Sequence, residues 1–243
     1  MKTVLITGAN KGIGFETAKQ MASLGYFVYL GSRNEENGKI AVQSLHDLGL
    51  KNVSLVPIDI SNPESVKKAR CQVEKETDTL DVLINNAGIL GDMPQEPSTT
   101  NLANYEKVFR TNLFGTINVT QEFLPLMKKS KAPRIVNISS DVGSLEENSN
   151  PDWVKYDSVK PFFAVYGASK SAVNAFTIAL SYELRNTNFK VNSVTPGHTA
   201  TEFNNFKGTK TVEEGAQPIV RCATFSDDAP TGKFISAEGE LKW

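Results

Sequence analysis

Short runs rich in β-branched residues alternate along the chain with longer stretches whose apolar positions recur at helical spacing. The runs are Thr3–Ile6, Phe27–Leu30, Val53–Val56, Val82–Ile84, Arg134–Ile138 and Lys190–Val194, with a seventh expected near Lys233–Ile235. Such alternation predicts an α/β fold: a doubly wound, mostly parallel sheet of about seven strands with helices on both faces, in one Rossmann-like domain over 1–243.

The helical stretches carry their own punctuation. Asn34 before Glu35 and Glu36 reads as a cap with first-turn acids, and Gly49 as the stop. Asn62-Pro63-Glu64 opens the next helix, and Thr211 with Glu214 forms a capping box. One long helix is expected over about Asn101 to Lys129, and another running from Tyr166 through Val173, Phe176, Leu180 and Leu184. The irregular stretches 89–100, 141–165 and 198–210 each follow a predicted strand. In an open α/β sheet that carboxyl edge is where ligands bind, so 141–165 and 198–210 are read as a substrate lid.

Composition narrows the partners. With 26 basic against 27 acidic side chains and a net charge of −1, the chain has no electrostatic footprint for nucleic acid or an anionic membrane. Its longest apolar runs are too short to span a bilayer, and Val4-Leu5-Ile6 is too brief for a signal peptide. The expected location is the cytoplasm. Cys71 and Cys222 stand far apart, and His46 and His198 are the only histidines, so no metal site is expected.

Gly8-Ala9-Asn10-Lys11-Gly12-Ile13-Gly14 joins the first strand to a helix. Glycines let a backbone turn tightly against a pyrophosphate, whose charge meets helix N-terminal N–H groups. The bland reading is a turn that merely needs glycine. At the end of strand two an acid would hold the ribose of NAD, whereas a base would hold the extra phosphate of NADP. Here stand Gly31-Ser32-Arg33, with Lys11 as a second base, so NADP(H) is expected; both could instead be solvated surface charges. Asp59, beside Ile60, is either an adenine contact or a turn residue.

Reduction of a carbonyl needs an acid for the nascent alkoxide. Tyr166 and Lys170 are four residues apart, on one helix face. Two unit charges near 4 Å interact by about 4 kcal/mol at an effective dielectric of 20, roughly three pKa units, so the lysine is expected to bring the phenol toward neutral pH. Tyr156 and Lys160 match the same spacing, but Lys160 precedes Pro161 and is biased away from helical geometry. Ser139, at the end of a strand, is the candidate for holding the carbonyl oxygen, with Ser140 its competitor. Asn112 is either exposed or bonded inward to water and Lys170 as a proton relay. Phe203 and Phe206, with Trp153, Tyr156, Phe162 and Phe163, read as an apolar lid over a bulky carbonyl compound or as pins for long loops.

Gly8, Gly12 and Gly14, then Asn85-Asn86-Ala87-Gly88, Asn112, Ser139, Tyr166 with Lys170, and Pro196-Gly197, in this order, resemble the short-chain dehydrogenase/reductase family over nearly the whole chain. The resemblance implies that Asn85, Asn86 and Ala87 stabilise the central sheet and line the adenine-ribose side, with Gly88 beside them. It implies that Lys170 also holds the nicotinamide ribose, and that Pro196, Gly197, Thr199 and Thr201 border the nicotinamide. Bases at both Lys11 and Arg33 match the members that prefer NADP.

The interval between Ser139 and Tyr166 is longer than compact members use, and with Gly232-Lys233-Phe234-Ile235 and the terminal Leu241-Lys242-Trp243 it is similar to the carbonyl-reductase subgroup. That likeness favours a monomer. The expected activity is NADPH-dependent reduction of a ketone or aldehyde. The alternatives are a dinucleotide-sensing regulator without turnover, which would have lost the tyrosine or lysine, and an epimerase or dehydratase, which would need a longer substrate region than 197–243.

Overall fold

The computed structural model describes residues 1–150 and 163–243. Its centre is an eight-stranded sheet in the order β3-β2-β1-β4-β5-β6-β7-β8. The strands are β1 Thr3–Ile6, β2 Phe27–Ser32, β3 Val53–Pro57, β4 Val82–Asn85, β5 Arg134–Ile138, β6 Lys190–Val194, β7 Phe234–Ile235 and β8 Glu240–Leu241. All neighbouring pairs are parallel except β7 with β8. The two-residue antiparallel β8 adds to the seven runs legible in the sequence.

The runs are largely apolar because both faces are covered, and the buried polar residues Asn137, Asn192 and Ser193 within them are hydrogen-bonded. Val4 and Ile6 of β1 pack with Val28, Leu30, Ile84 and Val136 against α1 (Gly12–Ser23), α2 (Glu35–Asp47) and α8 (Val212–Ala223). Leu5, with Tyr29, Leu83, Ile135 and Val191, faces the other way onto α3 (Pro63–Glu76), α5 (Thr116–Met127) and α7 (Ala164–Glu183). The remaining α-helices among the described residues are α4 (Leu102–Phe109) and the short α6 (Leu145–Ser149).

The predicted caps form. Asn34 accepts from Asn37 N at 2.8 Å, Asn62 accepts from Glu64 N at 3.0 Å, and Thr211 and Glu214 close their capping box. Gly49 follows α2 at φ +86°, the left-handed region that glycine enters without penalty. Glu35 and Glu36 both pair with Lys39, which accounts for them as helix residues rather than ribose ligands.

The long helix expected over 101–129 is interrupted. Between α4 and α5 the chain widens into a π turn, Arg110–Gly115, that contains Asn112. Such turns are rare and cluster at functional positions. The sheet order reverses between β1 and β4, and the carboxyl ends of β1, β4, β5 and β6 meet there to build the site.

Candidate active site

Thr7 and Asn86 lock the loop after β1 to the end of β4. Thr7 Oγ1 accepts from Asn86 N and Ala87 N, both at 3.0 Å, and Asn86 Nδ2 donates to Thr7 O at 2.8 Å and Gly8 O at 3.0 Å. The loop is so close to β4 that a Cβ on Gly8 would lie 2.9 Å from Ala87 Cα, and one on Gly14 would lie 2.5 Å from Asn86 Nδ2. Beyond it α1 begins at Gly12 with no side-chain cap, leaving its first N–H groups without a side-chain acceptor. Asn10 is half-buried in the loop, and Ile13 packs partly into the core. A glycine cradle ending in an uncapped helix N-terminus fits a dinucleotide pyrophosphate.

At the ends of β2, β3 and β4 lies a cavity of ≈ 510 Å³, lined by Arg33, Ser61, Ile89, Lys107 and Arg110 among others. Arg33 and Arg110 both stand exposed there, whereas Lys107 is paired with Asp92. Arg110 carried no sequence signal, because nothing in the chain's order shows that the π turn faces Arg33. Lys11 is engaged with Glu202 from the loop after β6. Asp59 takes up its turn role: its Oδ1 accepts from Ser61 N at 3.0 Å and Ser61 Oγ at 2.7 Å. Ile60 is buried against Gly115.

Residues of β6 and its loop bend back over the glycine turn. Gly197 has φ +73°, and Thr199 Oγ1 donates to Pro196 O at 3.2 Å. Thr201 lies against Gly12, 3.5 Å from a Cβ built there, and caps a short 3-10 turn, Glu202–Asn204.

Tyr166 is the third residue of α7 and half-buried. The Phe163 and Phe203 rings flank it, with centroids 6.3 Å and 5.5 Å from its own. Its phenol is hydrogen-bonded to Ser140, not Ser139. Ser139 is buried with its hydroxyl donating to Lys170 O at 3.3 Å, so the candidate chosen from the sequence points away and its neighbour faces the phenol. Successive side chains at a strand end face opposite ways, and a one-residue choice reverses the assignment.

Lys170 also departs from expectation. Its Nζ donates to Ile138 O at 2.7 Å and lies 5.6 Å from the Tyr166 ring centroid. Burial lowers its pKa to about 8. The phenol's pKa is raised, first by burial and further by Asp141, while the Ser140 hydrogen bond lowers it. The expected lowering by the lysine charge is not what this environment produces.

Asn112 is buried and its amide is fully used. Oδ1 accepts from Ile89 N at 2.8 Å, and Nδ2 donates to Ile89 O at 2.9 Å and to Ser169 Oγ at 3.0 Å. The side chain therefore does not bond Lys170, although both converge on Gly88, where a Cβ would lie 3.3 Å from Asn112 Oδ1 and 3.6 Å from Lys170 Nζ. Asn85 does brace the sheet, donating to Thr120 Oγ1 at 3.0 Å and Asn137 Oδ1 at 2.8 Å. Trp153, Tyr156, Lys160 and Phe162 lie outside the described residues.

Among the described residues no three potential ligands gather for a metal, and no helix is long and apolar enough to cross a membrane. A parallel sheet with a glycine cradle at its switch point, serines at the end of β5 and Tyr166 and Lys170 on the adjoining α7 form the arrangement of a dinucleotide-dependent oxidoreductase. Residues 2–211 match the family described as short chain dehydrogenase, and the chain belongs to that family. It is 38% identical over 242 residues to short-chain dehydrogenase anuI of Penicillium roqueforti, covering 98% of this chain and 95% of that one. Salutaridine reductase of Papaver somniferum superposes with a TM-score of 0.83 at 30% identity, covering 96% of this chain and 99% of the other. NADPH-bound carbonyl reductase from chicken fatty liver superposes at 0.85 with 27% identity, covering 100% and 99%.

Proposed function

We propose that the protein is a single catalytic domain that reduces a bulky, apolar ketone or aldehyde to the alcohol with NADPH. The observation that carries this reading is the Tyr166 phenol, hydrogen-bonded by Ser140 and flanked by Phe163 and Phe203.

The glycine cradle, the N-terminus of α1 and Arg33 would hold the coenzyme, which supplies the hydride when bound. The chain's own residues handle the oxygen. The Ser140 hydroxyl and the Tyr166 phenol together receive the carbonyl oxygen, and their hydrogen bonds strengthen as it gains negative charge. The phenolic proton then passes to that oxygen, and Ser140 remains to stabilise the phenolate left behind.

The raised phenol pKa suits this direction. A phenol that stays protonated through the neutral range is always ready to donate, and an alkoxide is basic enough to take its proton. Asn112 serves by position, tying Ile89 to Ser169, whose hydroxyl donates to Tyr166 O at 2.7 Å. Phe163 and Phe203 present apolar surface beside the phenol, which matches a cyclic or aromatic carbonyl compound better than a small polar one. The poppy and chicken relatives are, by name, a salutaridine reductase and a carbonyl reductase.

The test is NADPH consumption with quinones, aromatic aldehydes and cyclic ketones. The parent turns over members of this panel, and Tyr166→Phe loses about 10²–10⁴-fold in kcat, the usual general-acid contribution. Parental activity in Tyr166→Phe would move the chemistry elsewhere.

A further inference from the structure

Helix α7 begins without a cap of its own. Phe163 precedes it, and no side chain there accepts from the first turn. The opening N–H groups of a helix have no intrahelical partner. Two of them are met here by a residue far back in the chain. Gln95 Oε1 accepts from Tyr166 N at 2.9 Å, and Gln95 O accepts from Ala164 N at 3.4 Å.

The other end of the same amide is equally committed. Gln95 Nε2 donates to Leu90 O at 2.7 Å, and the residue is 0% exposed. Leu90 stands on a firm base, because two asparagines of the adjoining helical stretch clasp its surroundings. Asn112 bonds both N and O of Ile89, at 2.8 Å and 2.9 Å. Asn104 bonds both N and O of Asp92, each at 2.9 Å. Between them Gly91, at φ +86°, lies flush on α4, where a Cβ would meet Val108 Cγ2 at 2.5 Å.

We propose that Gln95 is a positioning residue for Tyr166: one buried, planar carboxamide, bonded at both its oxygen and its nitrogen, fixes the backbone of that tyrosine against the loop that follows β4. It does so without hydrogen-bonding the phenol. Leu90 O requires a donor and Tyr166 N–H an acceptor, and a neutral carboxamide offers both. A displacement of about 1 Å at a reacting group can cost about 10²-fold in rate, so the effect belongs in kcat. The inference rests on Tyr166 as the proton donor.

Two variants test it. Gln95→Met fills the space without the amide, and Gln95→Asn keeps an amide but withdraws it by about 1.5 Å. In each, kcat falls about tenfold or more, NADPH affinity stays within about twofold, and 4-deuterated NADPH gives a larger isotope effect on kcat because hydride and proton transfer become slower. Should Gln95→Met not fold, Gln95→Asn reads the same three quantities. Parent-like kcat in either folded variant overturns the proposal, as does a loss matched by weaker NADPH binding with an unchanged isotope effect. Tyr166→Phe run alongside separates the two readings. Parental activity there overturns both, whereas an inactive Tyr166→Phe beside parent-like Gln95 variants overturns this inference alone.

Discussion

The Ser140 hydroxyl is bonded to the Tyr166 phenol, while Ser139, one residue earlier, sends its own hydroxyl to the carbonyl of Lys170 at 3.3 Å. The two serines at the end of β5 therefore have different tasks. Removing an oxyanion donor typically costs about 10²–10³-fold in kcat, and Ser140→Ala is expected in that range. Ser139→Ala breaks a buried hydrogen bond instead, and should lower stability by about 1 kcal/mol with less than about a tenfold change in kcat. Steady-state kinetics with thermal melts of the two variants decide the assignment. The reverse ranking would restore Ser139 to the site.

The raised pKa of Tyr166 makes the two reaction directions respond differently to pH. Reduction needs the protonated phenol, which the folded protein keeps well above neutrality, so its rate should not fall through loss of this proton near pH 8. Alcohol oxidation needs the phenolate, so its rate should climb with pH, by up to about tenfold per unit. Ser140→Ala removes a hydrogen bond that lowers this pKa and should move the rise to still higher pH. Rates in both directions across the alkaline range check this; an oxidation rate already level at neutral pH would contradict it.

Much of the fold and part of this site are legible in the sequence alone, and what is not has physical causes. The strands were legible because burial on both faces makes each a short run rich in β-branched and other apolar residues, and the caps because Asn34, Asn62 and Thr211 act on residues two or three places on. β8 was not, since two residues carry no period. The choice between Ser139 and Ser140 depends on which way a strand end twists, and Asn112 sits where a π turn changes the helical phase. Lys11 with Glu202 and Gln95 with Tyr166 are pairings across long stretches of chain, set by packing alone.

Lys170 should destabilise the fold it serves. Burial lowers its pKa from 10.5 to about 8, so the unfolded chain holds this proton more tightly than the folded one. The cost of the buried charge is present in full below pH 8 and is relieved as pH rises from 8 toward 10.5. Lys170→Met should accordingly be more stable than the parent by on the order of 2 kcal/mol at neutral pH, with the difference shrinking across that window, while losing activity. Denaturant titrations at several pH values measure this. A variant less stable than the parent at neutral pH would show that the bond to Ile138 O outweighs desolvation.

Coenzyme choice turns on which bases are free to meet a 2′-phosphate. Arg33 stands exposed at the cavity formed by the ends of β2, β3 and β4, whereas the Lys11 ammonium is paired with Glu202 from the loop after β6. Arg33→Ala should weaken NADPH binding about 10–100-fold and NADH binding little, because a charge-assisted forked contact is lost only with the phosphorylated form. Glu202→Gln removes the competitor for Lys11, and should tighten NADPH several-fold at low ionic strength. That gain should fade at high salt, since both partners are more than half exposed. Fluorescence titrations of the parent and both variants with both coenzymes, at low and high salt, measure these changes. Equal weakening of NADPH and NADH by Arg33→Ala would contradict a 2′-phosphate contact at Arg33, and with it the proposed preference for NADPH.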